Sequence, residues 1–458
     1  MAGNADWRND PASCHSARME QIETTGFDIG TVLELAGERA VPGGRVLARA
    51  EGKIVLVAGA LPGERVRARI TRDEKRWSEA EVVEVLEANP RRRAAPCPHA
   101  DACGGCDWQF AERDLQLEMK REIVLDCFRR IGGLDVEDRL EGPEPIGDEF
   151  GVRQRIGLTF DPAGRPGLLA RGSHDAVPIE SCLLMRRELN EVVLPWLRLA
   201  PPWKRVNVRI DSAGRSVLLF ETGDPPSEKD RKRYGKITAA MDRPPEIVGL
   251  LADRIPLAGE RELRYEVAGS ELTADAASFF QGSLPGAERL VEIVREMIGD
   301  DRNGQLLDLY SGVGLFAVCL GRGFSRVIAA ESDGRAARHL KRNLKRNGIR
   351  GEARAEPALV TLRTAPVAER ETIIVDPPRA GLDKEARRAL VGREPARIVS
   401  ISCDPATAAR DTAVFLRAGY RLERIVAVDL FPVTAHVETV ALLVREDVAG
   451  GDQGATAP

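Results

Sequence analysis

From about residue 276 the chain alternates helical and strand periodicities, and this constrains its fold more than any other feature. Helix PGAERLVEIVREMIG gives way to strand QLLDLY, a glycine-rich turn, helix GLFAVCLG and strand RVIAAE. Helix GRAARHLKRNLKRNG, strand TIIVD, helix DKEARRALVG and strand RIVSIS follow, then a helix over 405–417 and two last strands, YRLERIVAVDLF and VETVALLVR. Such alternation predicts a doubly wound α/β sheet with parallel strands at its centre, over 276–447. Ligands of such sheets gather beyond the carboxyl ends of the strands.

Several chemically suggestive residues fall at those ends. Gly312 and Gly314 of DLYSGVGLF (308–316) follow a strand and open a helix, which allows close backbone approach to a ligand. Glu331 ends the next strand, 17 residues after Gly314, where an acid can accept hydrogen bonds from ribose hydroxyls. This turn is shorter than a dinucleotide fingerprint, so the pair suits an adenosine cofactor without a pyrophosphate, S-adenosylmethionine above all. In DPPRAGLD (376–383) two prolines after a strand make a rigid turn presenting Asp376. Cys403, in SCDPATAARD (402–411), places a thiol at another strand end, where a thiolate can attack a ring carbon. Glu438 interrupts an apolar stretch in FPVTAHVET (431–439); burial would raise its pKa and suit it to proton transfer.

The chain has 458 residues, 43% hydrophobic and 30% charged, which describes a globular protein of roughly three domains. Its net charge of −4 gives no overall pull toward nucleic acid, so any basic surface is local. The N-terminus has no apolar core segment of a signal peptide, and no run is long enough to span a membrane. A cytoplasmic protein, its eight cysteines not a disulfide framework, is expected. Residues 1–26 and 448–458 read as disordered tails. Residues 27–88 read as short strands punctuated by Gly and Pro, a small β-barrel of the nucleic-acid-binding type. Residues 89–275 form a central α+β domain, in which SEKDRKRYGK (227–236) reads as a solvated loop. Seven Lys or Arg residues over 334–350, and Arg91, Arg92 and Arg93, are either phosphate contacts or solvated faces.

Cys97, Cys103 and Cys106 are spaced C-x5-C-x2-C in CPHADACGGCDWQ, and Cys182 lies 76 residues further on. Four soft thiolates suit zinc or a 4Fe-4S cluster, and spacing alone favours zinc. Cys14 reads as tail, Cys127 and Cys319 as helix core.

SFFQGS, DLYSGVGLF, DPPRAGL, SCDPATAARD and FPVTAHVETVALL, in this order, resemble the RNA uracil-5-methyltransferase family across the whole C-terminal domain. The resemblance implies a Rossmann-like class I methyltransferase domain using S-adenosylmethionine. It also implies that Cys403 adds to uracil carbon 6, that Glu438 removes the carbon 5 proton, and that Gln281, Tyr310, Glu331 and Asp376 bind the cofactor. Phe279 or Phe280 would stack on the extruded base. Leu315 stands where several relatives carry Asn, and GEARAEP (351–357) lacks the usual Gly-Asp turn, with Glu356 the candidate substitute. CGGCDWQ and the later Cys182 resemble the family's iron–sulfur segment, which turns the choice from zinc to 4Fe-4S. The 27–88 barrel resembles a TRAM domain.

The expected activity is 5-methyluridine formation in RNA by a monomer. TRAM-like barrel and cysteines together resemble the 23S ribosomal RNA branch more than the transfer-RNA branch. The reading from a different class is a noncatalytic iron–sulfur RNA-binding protein, against which an intact Cys403 and Glu438 argue.

Overall fold

The computed structural model describes residues 26–446, apart from 200–202, most of 222–241, 253–254, 301 and 303. The predicted tails and most of the SEKDRKRYGK segment lie outside the described residues.

Six strands form the N-terminal sheet: β1 (Val32–Ala36), β2 (Arg39–Val41), β3 (Arg45–Ala50), β4 (Lys53–Ala58), β5 (Arg65–Asp73) and β6 (Trp77–Glu87), in the order β1-β5-β6-β4-β3-β2. Strict alternation builds it. In β5, Val66, Ala68 and Ile70 point into a small apolar core, while Arg65 and Arg67 face outward to Glu34, Glu84 and Glu87.

A cysteine-bearing turn leads into α1 (Arg113–Cys127) and β7 (Leu140–Pro145). The central sheet then comprises β8 (Arg155–Phe160), β9 (Pro166–Leu169), β10 (Ala176–Pro178), β11 (Arg205–Ile210), β12 (Ser216–Glu221), β13 (Ile247–Ala252) and β14 (Ile255–Gly259), with α2 (Leu194–Leu199) before β11. A hairpin, β15 (Glu262–Val267) and β16 (Ser270–Asp275), connects to the last domain.

That domain runs α3 (Leu284–Ile298), β17 (Gln305–Leu309), α4 (Leu315–Leu320), β18 (Arg326–Ala330), α5 (Gly334–Arg346), β19 (Gly351–Arg354), α6 (Ala358–Thr364), β20 (Glu371–Val375), α7 (Lys384–Arg393), β21 (Arg397–Ser402), α8 (Pro405–Arg417), β22 (Tyr420–Asp429) and β23 (Glu438–Arg445). The sheet order is β19-β18-β17-β20-β21-β23-β22-β7, parallel from β19 through β21. β17 and β20 are buried throughout because helices cover both faces. Alternate residues feed the two cores: Ile374 packs into one, Ile373 and Val375 into the other. Asp333, Asp383 and Asp404 cap α5, α7 and α8 by accepting from backbone amides of the first turn.

One strand crosses the expected domain boundary. β7 comes from the stretch that sequence assigns to the central unit, yet it pairs in parallel with β22 as the sheet's outer strand. Local periodicity shows that a strand exists, not which sheet takes it. The buried Lys120 of α1 pairs with Asp429, which ends β22, and fastens the same segment from the helix side.

Candidate active site

Parallel register aligns the strand ends. Leu309 pairs with both Ala330 and Val375, so the next residues, Tyr310, Glu331 and Asp376, emerge side by side at the carboxyl edge. Tyr310 takes a left-handed backbone (φ +61), unusual for a non-glycine residue and a mark of a site the fold over-determines. Gly312 is also left-handed, and a Cβ there would meet nothing within 4 Å, so the turn opens onto free space. The Gly312 amide donates to Glu331 Oε2 (3.0 Å), and the Asp333 amide to Oε1 (2.7 Å). Glu331 therefore orders the turn as well as edging it. Leu315 is buried in the core and offers only backbone to the edge, while Glu356 is engaged by Thr361 (2.6 Å) and Arg354 (3.4 Å).

β21 and β23 are antiparallel, with Ser402 opposite Thr439. Continuing that register sets half-buried Cys403 opposite buried Glu438, on the flank of Asp376. Burial first, then the charges of Glu438 and Asp376, push the Cys403 thiol up to about 12. Glu438 is raised well above the usual carboxylate range by burial and by Asp376. Burial lifts Asp376 to about 7. Gln281 donates to Asp376 Oδ2 (3.4 Å), and Gln154 donates to the Gln281 carbonyl (2.9 Å).

Two acids here escaped the sequence reading. Asp308, wholly buried in β17, accepts from the Ala317 amide (2.9 Å), while its other oxygen has no partner among the described residues. Burial lifts it to about 8. Its signal was an acid within the apolar run QLLDL. Asp411 accepts from the Leu382 amide (3.0 Å) and pairs with Arg387 and Arg410, tying the DPPRAGLD loop to α8.

The two phenylalanines separate. Phe280 is buried and stacks on Tyr265, with centroids 3.9 Å apart. Phe279 is 59% exposed, and the Arg155 guanidinium lies over its ring at 5.6 Å. Phe279 and Gln281 line a cavity of about 380 Å³ together with Cys97, Cys103, Cys106 and Cys182. Burial raises the Cys103, Cys106 and Cys182 thiols, Cys106 to about 11, and neighbouring thiols add to each shift. Among the described residues, no three His, Cys, Asp or Glu side chains are grouped as a ready metal-ion site.

The basic clusters are engaged within the chain to different degrees. Arg91 pairs with Glu118, Arg92 with buried Glu64, and Arg93 with Glu149. These pairs tie the barrel and linker to the rest of the chain. On α5, Arg342 and Arg346 are taken by Glu262 and Glu271 of the β15–β16 hairpin. Cys127 and Cys319 sit in α1 and α4; Cys14 is outside the described residues.

A doubly wound sheet with a glycine turn and acids along its carboxyl edge fits a class I methyltransferase fold holding an adenosine cofactor. Comparison with known proteins narrows the class. The tRNA (Uracil-5-)-methyltransferase family profile matches residues 366–446, and the TRAM domain profile matches residues 30–83. A relative from Chromohalobacter salexigens, named 23S rRNA (uracil(1939)-C(5))-methyltransferase RlmD, is 31% identical, covering 94% of each chain. An uncharacterized RNA methyltransferase of Streptomyces avermitilis is 32% identical over 88% of this chain and 95% of its own. The crystal structure of Pyrococcus abyssi tRNA (uracil-54, C5)-methyltransferase with S-adenosyl-L-homocysteine superposes with a TM-score of 0.67 at 26% identity, covering 90% of this chain and 99% of that one. The chain belongs to the RNA uracil-5-methyltransferase family. No helix among the described residues is long and apolar enough to cross a membrane.

Proposed function

We propose that this protein methylates carbon 5 of a uracil in 23S ribosomal RNA, acting in the cytoplasm as a monomer. The juxtaposition of Cys403 and Glu438 beside Asp376 carries the reading. The name of the Chromohalobacter relative supports ribosomal over transfer RNA. Gln281, Tyr310, Glu331 and Asp376 would hold S-adenosylmethionine, which supplies an electrophilic methyl group to carbon 5. Open space at Gly312 and half-buried acids on either side of it fit such a ligand.

Cys403 and Glu438 divide the covalent work. The target base leaves its stack to reach the sheet edge, and exposed Phe279 gives it a face to rest on. The Cys403 thiol loses its proton to solvent, its sulfur bonds to carbon 6, and the carbon 5–carbon 6 π electrons move toward the carbon 4 oxygen. After methylation, Glu438 takes the proton from carbon 5. The released pair re-forms the double bond and expels the Cys403 thiolate. A resting thiol near 12 is a weak nucleophile. A proton on Glu438 during addition removes the charge that, after burial, most opposes the thiolate, and Glu438 gives that proton up to solvent before it serves as base.

Cys97, Cys103, Cys106 and Cys182 would hold a 4Fe-4S cluster, with zinc as the alternative. All four line one cavity, and the resemblance of CGGCDWQ to the family's iron–sulfur segment favours the cluster over a single ion. The proposed chemistry transfers no electron, so such a cluster would be structural or RNA-positioning.

The test is methyl transfer from labelled S-adenosylmethionine to unmodified 23S ribosomal RNA and transfer RNA, side by side. Label in ribosomal RNA as 5-methyluridine is expected. Label in transfer RNA alone would overturn the substrate. Cys403→Ala should lose activity by at least ~1,000-fold while still binding cofactor.

A further inference from the structure

The loop that delivers Glu438 is held by the turn that carries the cysteines. It joins β22 to β23 and contains Val433, which is fully buried with a left-handed backbone (φ +57). A β-branched residue resists that conformation and adopts it only when its surroundings impose it. Here the imposing groups are identifiable. The Val433 carbonyl accepts from the amides of Asp107 (2.8 Å) and Trp108 (2.9 Å). The Val433 amide donates to Gln116 Oε1 on α1 (2.9 Å). Two residues on, the Ala435 amide donates to Asp107 Oδ2 (3.0 Å). Lys120 holds the start of the loop through the Phe431 carbonyl (2.9 Å).

Asp107 directly follows Cys106 in the chain and is itself fixed. Arg171 lies 3.8 Å from its Oδ1 and donates to the Cys106 carbonyl (2.8 Å). Trp108 is fully buried and donates through Nε1 to the Gly44 carbonyl of the barrel (3.0 Å). A Cβ on Gly44 would fall 2.5 Å from Asp107 Cγ, so barrel and turn are in close contact.

We propose that Asp107 is a positioning residue for the final proton abstraction, clamping the 431–437 loop so that Glu438 meets carbon 5 of the methylated base. The proposal rests on the assignment of Glu438 as base. Placement errors near 1 Å can cost about 100-fold in rate, and elimination is the step that depends on Glu438. Addition and methyl transfer rely on Cys403 and the cofactor edge, which the clamp does not touch.

Asp107→Ala, Asp107→Asn and Glu438→Gln would be assayed beside the wild-type holoenzyme for kcat, for KM toward S-adenosylmethionine and RNA, and for RNA-linked protein surviving denaturation. Asp107→Ala should lower kcat about 100-fold with both KM values near wild type, and should accumulate the methylated Cys403–RNA adduct. Asp107→Asn keeps an acceptor for the Ala435 amide and should restore most of kcat. Should Asp107→Ala fail to fold, Gln116→Leu releases Val433 from the other side and should give the same adduct. Wild-type kcat in Asp107→Ala would overturn the proposal, as would a loss of activity matched by loss of cofactor binding without adduct. Absence of adduct in Glu438→Gln as well would place the failure in the base assignment instead.

Discussion

Half-buried Asp376 and buried Glu438 lie close together at the sheet edge, and charge on Asp376 opposes charge on Glu438. A base so raised holds its proton above the ordinary carboxylate range and loses function as pH falls through its elevated pKa. Release of the preformed Cys403–RNA adduct should therefore slow on acidification, with a limb well above the ordinary carboxylate range. Asp376→Asn should move that limb down. Single-turnover release profiles across pH give the answer, and superimposable limbs would remove the coupling.

Phe279 and Phe280 should part company on mutation. Phe279 is exposed beside Arg155, so Phe279→Ala should cost RNA turnover, about 1–3 kcal/mol in kcat/KM, and leave the melting temperature nearly unchanged. Phe280 is core, stacked on Tyr265, and Phe280→Ala should cost about 3–5 kcal/mol of stability. Thermal melts and RNA kinetics on the pair distinguish them.

Asp308 makes stability depend on pH. Its ordinary value of 3.8 rises to about 8 on folding, so the folded chain holds the extra proton between those values. Its contribution is fully present at acid pH and falls as pH rises through that window. Asp308→Asn keeps an acceptor for the Ala317 amide and removes the titration. The variant should melt several degrees higher than wild type at pH 8, with the gap closing toward pH 5. A constant gap would show that Asp308 does not titrate there.

Protein purified without oxygen should be brown and contain iron. Cys106→Ser should bleach it, because all four thiols line one cavity. Colourless protein with stoichiometric zinc would replace the cluster by the alternative ion.

The alternation after residue 276 made the C-terminal sheet legible, because buried parallel strands and amphipathic helices carry opposite periodicities. The candidate site was legible for the same reason: Tyr310, Glu331, Asp376 and Cys403 all follow directly on strands, and register alone brings them to one edge. Partner choice over long distances was not legible. Arg91 to Arg93 have the composition of a phosphate patch, and only the fold reveals Glu118, Glu64 and Glu149 opposite them. Phe279 and Phe280 are chemically identical neighbours, and the backbone decides which one meets solvent. Asp107 read as part of a cysteine motif, while its contacts lie in the FPVTAHVET loop.

The outer strand β7 has a consequence for biosynthesis. Glu141, within it, meets Arg424 of β22, 283 residues away in sequence. At roughly 5–20 residues per second, translation leaves that strand waiting on the order of 15–60 s for its neighbour. The sheet edge therefore closes only near the end of synthesis, and until then β7 presents unpaired backbone groups of the kind that recruit foreign strands. A ribosome stalled in the last domain would hold the nascent chain in that exposed state.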